Sequence, residues 1–299
     1  MNDTLSPRNA FALFVVVVLA WGINWSVTKQ LVQVMPPLWA SAIRSWIALA
    51  ALAVILGANG KLNVPKAGDI PVVLSVGLLH MTLFAVLTAM GLRYLPAGKG
   101  IVLGYTTPLW VALATAAIGT EPLTARKLAG AALGLLGLGV ILNPASIDWT
   151  DADVLLGAGT VILGAMCWAA NIIYVRSHRW IASPLQLLLW QALVASAVLT
   201  VLALAVHGWP HVAWTQRLLL LFVQSGLVGV ALAYWAMSMV NRSLPALTTS
   251  LGTTATPIVG IASAAIWLGE PVDLSLALAT ALIVGGIVLN ILPAPAPRA

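Results

Sequence analysis

The chain has 299 residues, of which 61% are hydrophobic and only 7% charged, with a mean hydropathy of +1.02. A water-soluble domain carries about 25% charged residues, so this composition excludes an ordinary soluble enzyme and points to a chain whose solvent is lipid. The net charge of +6 comes from Lys and Arg scattered singly between apolar runs, which excludes a nucleic-acid-binding patch and marks those residues as determinants of membrane topology.

Apolar runs of about 20 residues, the length that crosses a bilayer, recur along the chain. They predict an all-α polytopic membrane protein of ten spans, at 11–32, 38–56, 70–91, 97–118, 124–142, 154–175, 184–206, 217–240, 245–267 and 273–291. A transmembrane β-barrel would need short alternating strands instead. The first run is long enough to span and lacks a cleavage site, so it reads as a first span. Residues 1–10 read as a cytoplasmic N-terminus and the Pro-rich residues 293–299 as a cytoplasmic tail. The loops are too short to hold a soluble domain. With the N-terminus inside, Arg8, Lys61, Lys66, Arg126, Lys127, Arg176, Arg179, Arg242 and Arg298 fall on the inner side. Only Lys29, Arg93, Lys99 and Arg217 fall on the outer side, a bias that puts both termini in the cytoplasm. The single cysteine, Cys167, lies inside a span, so there is no intrachain disulfide.

One pattern occurs twice. Leu95-Pro96-Ala97 is followed by Pro108 and then Glu121-Pro122; Leu244-Pro245-Ala246 is followed, at the same gaps, by Pro257 and Glu270-Pro271. Each copy ends in a related run, GVILN at 139–143 and GIVLN at 286–290. Matched prolines at a fixed offset signal internal duplication, with halves at 11–143 and 154–292. Five spans per half is an odd number, so the second half enters the bilayer from the opposite side and the halves are inverted repeats. Proteins built this way hold their substrate near the midplane, at helices broken by Pro or Gly. Pro108 and Pro257 lie near the middle of spans four and nine and are the expected helix-break or gating positions. The threonines around them, Thr106, Thr107, Thr253, Thr254 and Thr256, either line a site or satisfy the carbonyls a proline frees. Trp21 and Asn24 are echoed by Trp168 and Asn171, each pair sharing a helix face. An amide in mid-membrane must be paired or face the interior; the alternative to a site is an interhelical hydrogen bond.

Arg44, His80, Tyr105, Trp110, Gln191 and Tyr234 are further polar or aromatic residues at membrane depth. Arg44 either holds a substrate carboxylate or snorkels to the outer interface. His80 either senses protons or is a neutral, hydrogen-bonded core residue. Of the thirteen tryptophans, Trp39, Trp149, Trp180, Trp209 and Trp214 fit an interfacial belt; Trp21, Trp25, Trp46, Trp110, Trp168, Trp190 and Trp235 lie deeper, and those facing inward would line an aromatic cavity. Gly130, Gly134 and Gly137, with Gly285 and Gly286, permit close helix contact within one molecule or between two. All eight acids fall in loops or at span ends, which argues against a carboxylate-driven antiporter. Glu121 and Glu270 precede spans five and ten, where a carboxylate favours a helix N-terminus. No phosphate-binding loop, dinucleotide fingerprint, zinc motif or nucleophile elbow is present, so no cofactor, metal or ATP-driven step is expected. An intramembrane enzyme would need an acid pair, a Ser–Lys pair or a metal cluster at depth; a receptor or scaffold would need larger loops.

Ten spans, two inverted halves and the doubled LPA…P…EP pattern together resemble the drug/metabolite transporter (DMT) superfamily, EamA family, over essentially the whole chain. Within it the Trp-rich interior is most similar to YddG-type aromatic amino-acid exporters. The resemblance implies alternating access around a central cavity formed by spans one, three, four, six, eight and nine. It also implies that Trp21, Asn24, His80, Tyr105, Trp110, Trp168, Asn171 and Tyr234 line the cavity. The expected activity is export of amino acids, preferably aromatic, and of flat xenobiotics across a bacterial inner membrane, by a monomer or a dimer. Exchange of another metabolite class such as nucleotide sugars is the alternative; it would need a strongly basic cavity, for which only Arg44 and Lys99 are available. Coupling to protons and simple facilitated efflux both remain open.

Overall fold

The computed structural model describes residues 5–60, 62–119, 124–142 and 151–291. Twelve helices account for nearly all of them: α1 (Pro7–Val34), α2 (Pro37–Ala58), α3 (Ala67–Tyr94), α4 (Ala97–Gly104), α5 (Thr107–Ala117), α6 (Ala125–Leu142), α7 (Ala152–Ser177), α8 (Pro184–His207), α9 (Gln216–Ser243), α10 (Ala246–Thr253), α11 (Thr256–Leu268) and α12 (Leu274–Ile291). Eight helical stretches among the described residues are long and apolar enough to cross a bilayer, with α4 and α5 counted as one stretch. Two shorter apolar helices, Thr256–Leu268 and Leu274–Leu289, follow them. The architecture is that of an all-α polytopic membrane protein.

Local chemistry sets the helix ends. Pro7, Pro37 and Pro184 occupy first-turn positions, where a missing N–H leaves nothing unsatisfied. Ser183 and Gln186 form a reciprocal capping box at the start of α8. The doubled Leu-Pro dipeptide makes a corner. Leu95 (φ −99°, ψ 150°) and Leu244 (φ −116°, ψ 150°) are extended, as a residue before proline prefers. Each therefore ends one helix, and its proline leads directly into the next, giving the hairpins α3–α4 and α9–α10.

The helices pair in a pattern that survives exchanging the first six with the last six. The α6 and α12 helices pack together, as do α2 and α8; α1 meets α9 and α11 as α7 meets α3 and α5; and α2 meets α9 as α8 meets α3. Both α3 and α9 contain a π-helical stretch, Val76–Phe84 and Val223–Leu232, and each stretch uses a glycine to approach its neighbour. A methyl on Gly77 would lie 2.9 Å from Val194 Cγ1 of α8, and one on Gly226 would lie 2.7 Å from the Arg44 carbonyl of α2. Four of the five glycines predicted to pack do so within this molecule at the α6–α12 crossing. A Cβ on Gly286 would stand 2.5 Å from the Gly130 carbonyl oxygen and 3.0 Å from Gly134 N. Gly285 meets nothing within 4 Å.

The helix breaks differ from a simple proline kink. Span four is interrupted at Tyr105–Thr106, ahead of Pro108, so the proline sits in the first turn of α5; Pro257 likewise sits in the first turn of α11. Proline here begins a new helix, as its geometry favours. The hydroxyls of Thr106 and Thr107 donate to the carbonyls of Leu103 (2.6 Å) and Gly104 (2.9 Å), satisfying groups that the break releases.

Glu270 departs from its expected place. Its carboxylate does not cap the following helix. Asp273 does that, accepting from Leu276 N at 2.7 Å, and this contact holds the Asp273 carboxyl below its ordinary pKa. Glu270 instead reaches across the molecule, with Oε1 accepting from Ala97 N (2.7 Å) and Oε2 from Gly98 N (2.9 Å) at the start of α4. Glu121, Trp149 and the 293–299 tail lie outside the described residues.

Candidate functional site

Two cavities meet at the centre of the bundle. The larger, about 640 Å³, is a vestibule lined by Asn171 and Arg176 of α7, Gln191 of α8, Asn241 of α9 and Thr107 and Pro108 of α5; it separates α5 from Thr253 and Thr254 at the end of α10. Lys127, Arg176 and Trp180 stand along its wall, so Trp180 belongs to the cavity as well as to the end of the bundle. The smaller, about 130 Å³, lies deeper and is lined by Asn24 and Thr28 of α1, Arg44 and Ser45 of α2, and Thr88 of α3. The vestibule falls within the range of cavities that enclose small organic ligands.

Trp21, His80, Tyr105, Trp168 and Tyr234 line both cavities and so form a collar between them. The His80 ring lies flat on Trp168, centroids 4.9 Å apart and planes 2° from parallel. Tyr234 Oη hydrogen-bonds His80 Nε2 at 3.1 Å, and Trp21 meets Tyr234 edge-on at 5.8 Å. Tyr105 stands perpendicular to Trp168, centroids 6.5 Å apart. Phe84 closes the back of the cluster, 4.8 Å from Trp168 and 5.7 Å from His80. Edge-to-face and offset contacts of this kind fix ring positions. The irregular backbone contributes: His80 and Phe84 lie in one π-helical stretch, and Tyr234 lies just after the other. Such stretches shift the face a helix presents and recur at functional sites.

Of the expected site residues, Trp21, Asn24, Arg44, His80, Tyr105, Trp168 and Tyr234 converge on the deep pocket, and Asn171 and Pro108 line the vestibule. Asn171 also makes the interhelical bond considered above, accepting from Ser75 Oγ at 3.0 Å. Trp110 is a correction. It lines neither of these cavities, and its indole N–H donates to Thr106 Oγ1 at 3.0 Å. Pro257 lines neither and is buried. Trp46 points away from the interior, 45% exposed, with its indole N–H on Thr200 Oγ1. Phe84, Thr28, Ser45 and Gly229 line the deep pocket and were not reached by sequence reasoning. Gly229 gives Asn24 its place: a Cβ there would lie 2.7 Å from Asn24 Oδ1.

The model of the EamA-like transporter family matches residues 8–143 and again residues 155–292. The chain is 26% identical to "Uncharacterized transporter YvbV" of Bacillus subtilis (strain 168), over 97% of this chain and 93% of that protein. It is 27% identical to "Probable amino-acid metabolite efflux pump" of Escherichia coli (strain K12), over 95% of each. A crystal structure of a protein 22% identical in sequence aligns with a TM-score of 0.64, covering 95% of this chain and 97% of the other. At that identity the likeness shows the fold alone. A polytopic helical bundle, a central cavity and two family matches in tandem leave one assignment: the chain belongs to the EamA-like transporter family of the drug/metabolite transporters and is a transporter, not an enzyme.

Proposed function

We propose that this transporter exports amino acids, aromatic ones preferentially, from the cytoplasm across a bacterial inner membrane by alternating access. The observation that carries the reading is the aromatic collar between vestibule and deep pocket. Its ring faces suit a planar side chain, while polar groups on either side suit the charged end. The relative named as an amino-acid metabolite efflux pump adds support for the substrate class. In this reading α4 with α5, and α10 with α11, are single broken spans, giving ten in all. The exchange-symmetric helix pairing and the two family matches at 8–143 and 155–292 support inverted five-span halves. The Lys and Arg bias supports both termini inside, and on that orientation the vestibule opens to the cytoplasm near Lys127 and Arg176. The protein is then in a cytoplasm-open conformation, with the opposite end closed.

Counterflow in proteoliposomes tests this. Vesicles holding unlabelled tryptophan should accumulate labelled tryptophan and phenylalanine faster than labelled threonine, with no pH gradient applied. Exchange confined to a nucleotide sugar would overturn the substrate reading while leaving the fold intact.

A further inference from the structure

Among the described residues, the deep pocket holds a cation with no anion beside it. Arg44 lines it with Asn24, Thr28, Ser45 and Thr88, and its one hydrogen bond among the described residues is a long one, Nη1 to Thr28 Oγ1 at 3.5 Å. The described acids, Asp69, Asp151, Asp153, Glu270 and Asp273, all stand at helix ends or in turns and make no ion pair with it. A guanidinium offers five donors in a planar fork and does not deprotonate in a protein. Holding that charge at membrane depth without a partner is costly, so the site is built for an anion that arrives from elsewhere. At about 130 Å³ the pocket has room for a carboxylate.

Building on the amino-acid reading above, we infer that Arg44 is the specificity-determining residue for the substrate α-carboxylate. The ligand threads the collar. Its carboxylate lies against the Arg44 fork, and its side chain lies on the ring faces of the collar, toward the vestibule. The carboxylate is therefore required, and the side chain is selected by the ring faces of the collar. The α-amino group is tolerated instead of read.

Three indole probes separate these parts: tryptophan, tryptamine, which lacks the carboxylate, and indole-3-propionate, which lacks the amine. Each is offered to detergent-purified protein in a thermal-shift assay, and tryptophan to proteoliposomes. Tryptophan and indole-3-propionate should stabilise the wild type and tryptamine should not. Arg44→Gln should abolish both shifts and slow tryptophan exchange about tenfold, as expected for one lost charge-assisted contact. Arg44→Lys, which keeps the charge but not the fork, should fall between. Equal stabilisation by tryptamine, or unchanged exchange in Arg44→Gln, overturns the assignment while leaving the exporter reading in place. Stabilisation by indole-3-propionate that Arg44→Gln removes, in a protein that exchanges no amino acid, supports the anion subsite and rejects the exporter reading.

An independent observation joins the two copies of the repeated motif. Glu270, from the second EP, binds the Ala97 and Gly98 amides of the first LPA, and Lys29 Nζ donates to the Leu95 carbonyl at the same corner (2.9 Å). Around them α4 is sealed against α11, at the end of the bundle remote from the vestibule. We infer that this cross-repeat clamp keeps the outer gate shut, and that opening toward the outside requires Glu270 to leave the α4 N-terminus. The test is a cysteine at Ser45 in a Cys167→Ser background, labelled in right-side-out vesicles by an impermeant maleimide. Glu270→Ala should raise external labelling about tenfold, and Glu270→Gln, which keeps an acceptor oxygen, should raise it less. Identical labelling rates in wild type and both variants would overturn the clamp.

Discussion

Replacing Trp168 with alanine is expected to slow aromatic amino-acid exchange by about tenfold or more, with the protein still folded. Trp168 is the ring that His80 stacks on, Phe84 leans against and Tyr105 meets edge-on. Such contacts are worth about 0.5–1.5 kcal/mol per pair beyond burial. A ligand ring that loses its own face on Trp168 forfeits a comparable amount, and about 1.4 kcal/mol is tenfold in affinity. The same change also releases His80 and Tyr105, so the collar loses shape as well as area. Truncating a fully buried tryptophan costs about 3–5 kcal/mol of stability. The cost here is smaller, because one side of Trp168 already borders open cavity. Trp110→Ala is the matched control: an indole at similar depth that lines neither cavity. Counterflow rates normalised to monodisperse protein decide the matter. If Trp168→Ala matches the wild type, or Trp110→Ala falls as far, the collar is packing and not a ligand site.

The sequence carried the helices and their order because hydropathy and proline position are local signals. The runs expected at 11–32, 38–56 and 184–206 appear as Pro7–Val34, Pro37–Ala58 and Pro184–His207. Their true ends were set by first-turn prolines and by caps such as Ser6 and Ser183. The doubled LPA was visible as a repeat, and its meaning as a hairpin corner follows from the extended residue that precedes a proline. Less accessible was anything that depends on which helix lies next to which. The π-helical stretches in α3 and α9 have the same apolar composition as α-helix, so nothing local announces them, yet the first carries His80 and Phe84 and the second leads into Tyr234. Glu270 read as the cap of its own following helix because charge–dipole reasoning is local. Its actual partner, 173 residues away in sequence, became its neighbour only through the fold. Trp110 and Trp168 were indistinguishable by depth, and only the rotation of their helices separates a packing indole from a cavity-lining one.

Two adjacent glycines are expected to respond in opposite ways to the same substitution. Gly286→Ala is expected to destabilise the protein by about 1–3 kcal/mol, the usual cost of forcing an extra carbon into a packed contact; Gly285→Ala should be nearly neutral. The added methyl at 286 would meet backbone, the Gly130 carbonyl oxygen at 2.5 Å and Gly134 N at 3.0 Å. Backbone cannot rotate away as a side chain can, so α6 and α12 must separate along their shared face. At 285 there is nothing within 4 Å to displace. Thermal unfolding in detergent should show a melting point lower by several degrees for the first variant, at about 2–4 °C per kcal/mol, and little change for the second. Larger substitutions at 286 should scale the loss. An unshifted melting point for Gly286→Ala would mean that α6 and α12 do not meet face to face at that glycine. If the variant kept its melting point but changed its mass in solution, the glycine face would be an interface between copies of the chain. Close contact within one molecule, which Gly130, Gly134 and Gly286 all make here, requires that stability move and mass stay fixed.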